Sequence, residues 1–99
     1  MSYTVILTLT KSAESPANAF ETMPVLPTVG TPEQIAAFRQ AYPNEWSIER
    51  SDSTVKTTSV YASQEVWDAQ QTDPLAIAVR AAKDAWAEAN HITITIEKI

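Results

Sequence analysis

From Tyr3 to Thr10 the chain alternates with a period of two. Tyr3, Val5, Leu7 and Leu9 fall on one side, and Thr4, Ile6, Thr8 and Thr10 on the other. This alternation in β-branched and aromatic residues predicts a strand. The C-terminus repeats the design, with Ile92, Ile94 and Ile96 on one face and Thr93, Thr95 and Glu97 opposite. Glu45–Ser51 and Val55–Ala62 also read as strands, joined by the polar turn Ser51-Asp52-Ser53-Thr54, and so as a hairpin. Trp46 and Ile48 mark the apolar face of its first arm.

Helical spacing appears twice. Thr31-Pro32-Glu33-Gln34 is a start signal: Thr31 caps, Pro32 suits the first helical position and Gln34 completes a capping box. Ile35, Phe38 and Tyr42 follow at helical steps until Pro43 ends the run. Ser63 opens a second stretch carrying Val66 and Trp67, which Asp73-Pro74 interrupts. The Asp-Pro pair is itself a cap followed by a first helical residue, so a new helix is predicted from Pro74 to about Ala89. Leu75, Val79, Ala82 and Trp86 form its apolar stripe, with Arg80, Lys83, Asp84 and Glu88 expected to face water.

The segment from Lys11 to Thr31 fits neither pattern. Pro16, Pro24 and Pro27 exclude a long helix or a central strand. Phe20, Met23, Val25, Leu26 and Val29 are too apolar for a solvated linker, so the segment is expected to be ordered against the body. Ser15-Pro16 predicts a short helical turn around Ala17–Glu21.

The element order is therefore strand, helix, strand, strand, helix, strand. Two interleaved split units of this kind give an α+β, ferredoxin-like βαββαβ fold, with a four-stranded antiparallel sheet and the helices on one face. Residues 1–99 read as a single such domain with an ordered proline-rich insert at 11–31. The first strand should lie between the second arm of the hairpin and the last strand. The helix-free face would then present Thr4, Ile6, Thr8, Thr10, Thr93 and Thr95. That surface is neither oily nor charged. Threonine suits strands wherever they lie, but the face also fits a second copy of the chain, and a sheet-to-sheet homodimer is the expectation.

Composition removes options more than it adds them. One glycine, one histidine and no cysteine exclude disulfides, thiolate metal sites, a histidine cluster and a glycine-rich phosphate cradle. No metal and no cofactor is expected. Twelve acidic against seven scattered basic residues give a net charge of −5, which disfavours nucleic acid and anionic lipid as partners. No secretory signal or membrane span is expected, and a soluble cytoplasmic protein is the default.

The stretch Val60-Tyr61-Ala62-Ser63-Gln64-Glu65-Val66-Trp67-Asp68-Ala69-Gln70-Gln71-Thr72-Asp73-Pro74 resembles the third strand and second helix of dimeric α+β barrel proteins, the superfamily that includes the antibiotic biosynthesis monooxygenases. The resemblance extends in pattern from Trp46 to Ile99. It implies a homodimer with facing sheets and a pocket in each subunit between sheet and helices. Cofactor-free oxygenases of that family hold their substrate with aromatic and amide side chains, a part that Asn18 and Trp67 would play here. Its haem-degrading members carry a histidine on the second helix, and Pro74 to Ala89 has none. The first half departs from the family, which connects directly into its first helix.

Asn18, Trp67, Trp86 and His91 are thus the candidate pocket residues. His91 opens the last strand with no second histidine and no clear carboxylate partner nearby in sequence, so a strand-end role competes with one as a base. Trp67 and Trp86 sit at apolar positions that also suit a core. Glu45 and Glu49 share a strand face but stand about 13 Å apart, too far for an acid–base pair. The first reading is a homodimeric binding or assembly module without identifiable catalytic machinery. The alternative is a cofactor-free monooxygenase or isomerase acting on a hydrophobic small molecule. An open cavity of about 300 Å³ or more, lined by Asn18 or His91, would favour the alternative.

Overall fold

A computed structural model of the chain describes residues 2–99. Strand β1 (Tyr3–Lys11) is followed by a 3₁₀ turn (Ala19–Thr22), helix α1 (Leu26–Val29) and helix α2 (Pro32–Ala41). The hairpin β2 (Asn44–Arg50) and β3 (Thr54–Tyr61) comes next, then α3 (Gln64–Gln71), α4 (Pro74–Ala89) and β4 (Ile92–Lys98). The sheet has the order β2-β3-β1-β4 and every pairing is antiparallel. This is the expected α+β ferredoxin-like arrangement, with strand ends displaced by one residue at most positions.

The capping signals act as the residue types require. Thr31 Oγ1 accepts from Gln34 N at 3.2 Å, while Gln34 Oε1 accepts from Thr31 N at 2.8 Å, so the capping box closes both ways. Asp73 Oδ1 accepts from Leu75 N at 2.9 Å, which starts α4 at Pro74. At the hairpin, Ser51 Oγ accepts from Thr54 N at 3.0 Å, a turn made without glycine. Ser63 stands at the N-cap position of α3 but its side chain makes no capping bond.

Cross-strand register settles the two faces. Leu7 lies opposite Thr57 and Ile96, and Leu9 opposite Val55 and Ile94, so these share one face. The core gathers at one end of that face, where Leu9, Val55, Ile92, Trp86, Ala87 and Ala19 are buried. The other face carries Thr4, Ile6, Thr8 and Thr10 of β1, half-buried by their neighbours, and the exposed Thr93 and Thr95. Thr8 pairs with Lys56 on one side and Thr95 on the other. Among the described residues, no helix is long and apolar enough to cross a membrane.

The proline-rich insert is ordered, and its details depart from expectation in two places. The helical turn is a 3₁₀ turn at Ala19–Thr22, and Ser15 does not cap it. The Ser15 hydroxyl is committed elsewhere: it accepts from Ser12 N at 3.0 Å and donates to the His91 carbonyl at 3.0 Å. A further turn of helix, α1, forms at Leu26–Val29, where Thr28 Oγ1 accepts from Val25 N at 3.1 Å and Pro27 suits the first turn. Buried Ala19 and Pro24, with Phe20 and Met23 against the core, anchor the segment. Helix α1 packs on α4.

Candidate functional site

The core fills one end of the space under the helices. Beyond it lies a cavity of about 480 Å³ between the sheet and the helices. Its origin is legible in side-chain size. On the helix-facing side of β3, Thr57 and Ser59 stand between Val55 and Tyr61, two small residues where larger ones would fill the gap. Above them, α4 offers Ala76 and Val79 rather than the bulk that Trp86 supplies one end further on. Val5, Leu7, Ile94 and Ile96 complete an apolar floor, Leu26 of α1 and Phe38 of α2 form a side wall, and Trp67 of α3 closes another. The insert therefore contributes a wall and leaves the cavity open.

Four polar side chains interrupt this apolar lining in sequence. The hydroxyl of buried Tyr61 donates to Gln70 Oε1 at 2.8 Å. Gln71 Nε2 donates to the same oxygen at 3.3 Å and to the Trp67 carbonyl at 3.4 Å. The Arg80 guanidinium donates to Gln71 Oε1. The chain Tyr61–Gln70–Gln71–Arg80 is thus linked end to end by hydrogen bonds. Trp67 is held in place from outside, with Tyr3 at 5.8 Å between ring centroids and the Lys98 ammonium 4.4 Å above its ring.

Lys83 is the exception. It was expected to face water, yet it is half-buried and lines the cavity. The buried stripe of α4 is two residues wide, so position 83 lies beside Ala82 under the helix rather than outside it. Burial lowers the Lys83 amine below the ordinary lysine value. Among the described residues, no carboxylate oxygen comes within 4.0 Å of it. A second, smaller compartment of about 250 Å³ adjoins the first and reaches Arg39, Tyr42, Asn44 and the exposed Trp46. Lys83, Leu26, Phe38, Gln70 and Val79 line both. A third space, between α2 and the start of α4, is lined mainly by alkyl groups. Its polar residues Gln34 and Asp73 are occupied as helix caps.

The four residues singled out from sequence do not meet. Trp67 lines the cavity. Trp86 is buried at the core end, where its indole N–H lies 3.1 Å from both the Ala19 carbonyl and Thr22 Oγ1. Asn18 is exposed just before the 3₁₀ turn and makes no side-chain capping bond. His91 is exposed in the turn from α4 to β4, with Nδ1 3.4 Å from Glu14 Oε2, a carboxylate distant in sequence. Neither Asn18 nor His91 lines the cavity, so of the two conditions that the sequence set for an enzyme, the volume is met and the lining residues are not. Sequence reasoning missed Gln70 and Lys83. Gln70 sits inside the stretch that carries the family resemblance, whereas a lysine between Arg80 and Asp84 on its helix looks like an ordinary solvated position.

The donor set is an unusual one for a cation site: its ionisable side chains are Tyr61, Arg80, Lys83 and Asp84, with neither thiol nor imidazole. It suits a largely apolar molecule with a polar group at one point.

A scan of protein-family models finds no match, and neither does a search of curated proteins. Solved structures do match. SnoaB, a cofactor-independent oxygenase from Streptomyces nogalater, superposes with a TM-score of 0.63 at 14% identity, over 99% of this chain and 90% of that one. Rv0793 from Mycobacterium tuberculosis gives 0.66 at 14% identity, over 100% and 93%. A Deinococcus radiodurans protein bearing the name of an antibiotic biosynthesis monooxygenase gives 0.63 at 18% identity, over 98% and 89%. The chain has the fold of the antibiotic biosynthesis monooxygenase-like dimeric α+β barrel proteins, and these identities speak for the fold alone.

Proposed function

We propose that the protein binds a flat hydrophobic small molecule between sheet and helices and transforms it without a cofactor, as a monooxygenase or isomerase. The observation that carries this reading is the open cavity of about 480 Å³, walled by Trp67, Phe38 and aliphatic side chains. The fold neighbour known as a cofactor-independent oxygenase supports the choice of chemistry. In such a monooxygenation the substrate supplies all the electrons. A CH2 group becomes a carbonyl, one oxygen atom of O2 enters it, and the other leaves as water with the two substrate hydrogens. This demands an electron-rich substrate with an acidic C–H, and a site that orients it rather than one that activates oxygen.

The same reading has the protein as a cytosolic homodimer that pairs through the face bearing Thr4, Ile6, Thr8, Thr93 and Thr95. The test is oxygen uptake by the purified protein with hydroxylated polycyclic aromatics, in buffer free of flavin and metal. Uptake above the spontaneous rate is expected, and Ser59→Trp, which fills the cavity floor, should abolish it. A wild-type protein that neither binds nor turns over any such compound would overturn the reading.

A second reading is a binding or assembly module without turnover. It is favoured by one observation: the polar groups Tyr61, Gln70, Gln71 and Arg80 are bonded to one another, which leaves no evident acid–base pair. Stoichiometric binding without product would identify it.

A further inference from the structure

We propose that the ligand of this cavity is an organic anion, an apolar body carrying one acidic group that pairs with Lys83 where the two compartments meet. The inference deepens the reading of the cavity as a ligand site and rests on it. Lys83 lines both compartments. It shares both linings with Leu26, Phe38, Gln70 and Val79, and no carboxylate of the described residues is within 4.0 Å of its amine. An ammonium removed from water without a counter-charge is unfavourable, and burial accordingly lowers its proton affinity. A ligand that brings the missing negative charge removes this penalty, and in a site walled by apolar groups the attraction is weakly screened.

The wider distribution of charge agrees. The chain carries −5 overall, and its surface therefore repels anions. The joined compartments reverse that sign: Arg39, Arg80 and Lys83 line them against Asp84 alone. Three of the seven basic residues thus converge on one cleft. Of the three, Arg80 lines only the first compartment and Arg39 only the second, so Lys83 is the cation at the junction.

The experiment is a fluorescence titration of the full chain at pH 7 with two probes of the same aromatic body. These are 1-anilinonaphthalene-8-sulfonate and its uncharged counterpart N-phenyl-1-naphthylamine. A charge-assisted contact in a desolvated site predicts that the sulfonate binds about tenfold more tightly or better. Lys83→Met should abolish the advantage of the sulfonate over the uncharged probe, while Lys83→Arg keeps it. Circular dichroism identifies a variant that has lost its fold, and Lys83→Gln then takes the place of Lys83→Met. Equal binding of the two probes by the wild type, or a sulfonate affinity indifferent to Lys83, overturns the anion assignment and leaves the cavity reading intact. Failure of both probes to bind overturns both.

Discussion

The indole N–H of Trp86 donates to the carbonyl of Ala19 at 3.1 Å, joining the last helix to the proline-rich connection near the other end of the chain. Phe20 packs against the same indole, with ring centroids 6.2 Å apart. One buried side chain therefore fills the core and fixes the insert. Trp86→Ala is expected to cost about 3–5 kcal/mol through the cavity it leaves. Trp86→Phe keeps most of the volume, and Thr22 Oγ1 still donates to the Ala19 carbonyl at 3.0 Å, so it should cost about 1 kcal/mol for the lost bond. Urea unfolding measures both. Equal midpoints for the wild type and Trp86→Ala would remove this residue from the core.

Trp67 predicts the opposite balance. It is half-buried, packs at a tilt against Tyr3 and lines the cavity. Trp67→Ala should leave a folded protein, at a cost of about 1–2 kcal/mol, and weaken binding of an aromatic probe. A variant that unfolds outright would instead make Trp67 a core residue and undercut its place in the site.

The contrast between the two tryptophans shows how far the sequence could be followed. Element order and the caps at Thr31 and Asp73 are written in local patterns, which held because each is decided by neighbours within four residues, and sheet order followed from the crossovers that this element order requires. The insert was legible only as ordered: Ser15 looked like a cap, but its hydroxyl bonds the carbonyl of His91, a contact no local rule contains. The candidate site was least legible. Trp67, Trp86, Asn18 and His91 were chosen by residue type, and only the fold decides which side of a sheet end each occupies. Lys83 escaped because a helix stripe two residues wide cannot be distinguished from a narrower one without knowing what stands opposite, here the small residues Thr57 and Ser59.

Tyr42 offers a prediction in alkaline solution. Its hydroxyl donates to Asp73 Oδ2 at 3.0 Å, linking the end of α2 to the cap of α4. This hydrogen bond, with burial and the nearby carboxylate charge adding to it, raises the phenol above its ordinary value of 10.0. The protonated form is the one favoured in the folded state. Its stabilising contribution is full below the unfolded-state value and is lost as pH rises through the folded one. Absorbance titration at alkaline pH should show a late-ionising tyrosine in the wild type that is missing from Tyr42→Phe. The wild type should also lose stability more steeply than that variant over the same window. Titration curves that coincide once scaled to the number of tyrosines would remove the Asp73 contact.

The threonine face makes a prediction about assembly. Thr8 lies beside Lys56 on β3 and Thr95 on β4, near the middle of the face. In Thr8→Glu the new carboxylate can pair with Lys56 across the strands, so the single chain should stay folded. In a sheet-to-sheet dimer the same change buries charge at the contact, which is strongly unfavourable. Light scattering should give about twice the chain mass of 10.9 kDa for the wild type and a single chain mass for Thr8→Glu. A monomeric wild type at micromolar concentration sinks the dimer.

His91 provides the last prediction. Its φ of 55° lies in the left-handed region, where a side chain is disfavoured and glycine is at ease. The chain enters β4 through this residue, and the one glycine it has is spent elsewhere, at Gly30, where φ is −125°. His91→Gly removes strain of about 1 kcal/mol and loses the exposed contact with Glu14, a surface pairing of small worth. The Ser15 bond survives, because it uses the His91 backbone carbonyl. Glycine also makes the unfolded chain freer, which offsets part of the gain. The net expectation is a stability within about 1 kcal/mol of the wild type, on the favourable side. Ligand binding should not change, since His91 stands at the core end of β4 while Ile94 and Ile96 reach the cavity. Thermal unfolding and the probe titration check the two halves. A His91→Gly protein of normal stability that no longer bound or turned over a ligand would restore the imidazole to the site and displace the assignment built on Lys83.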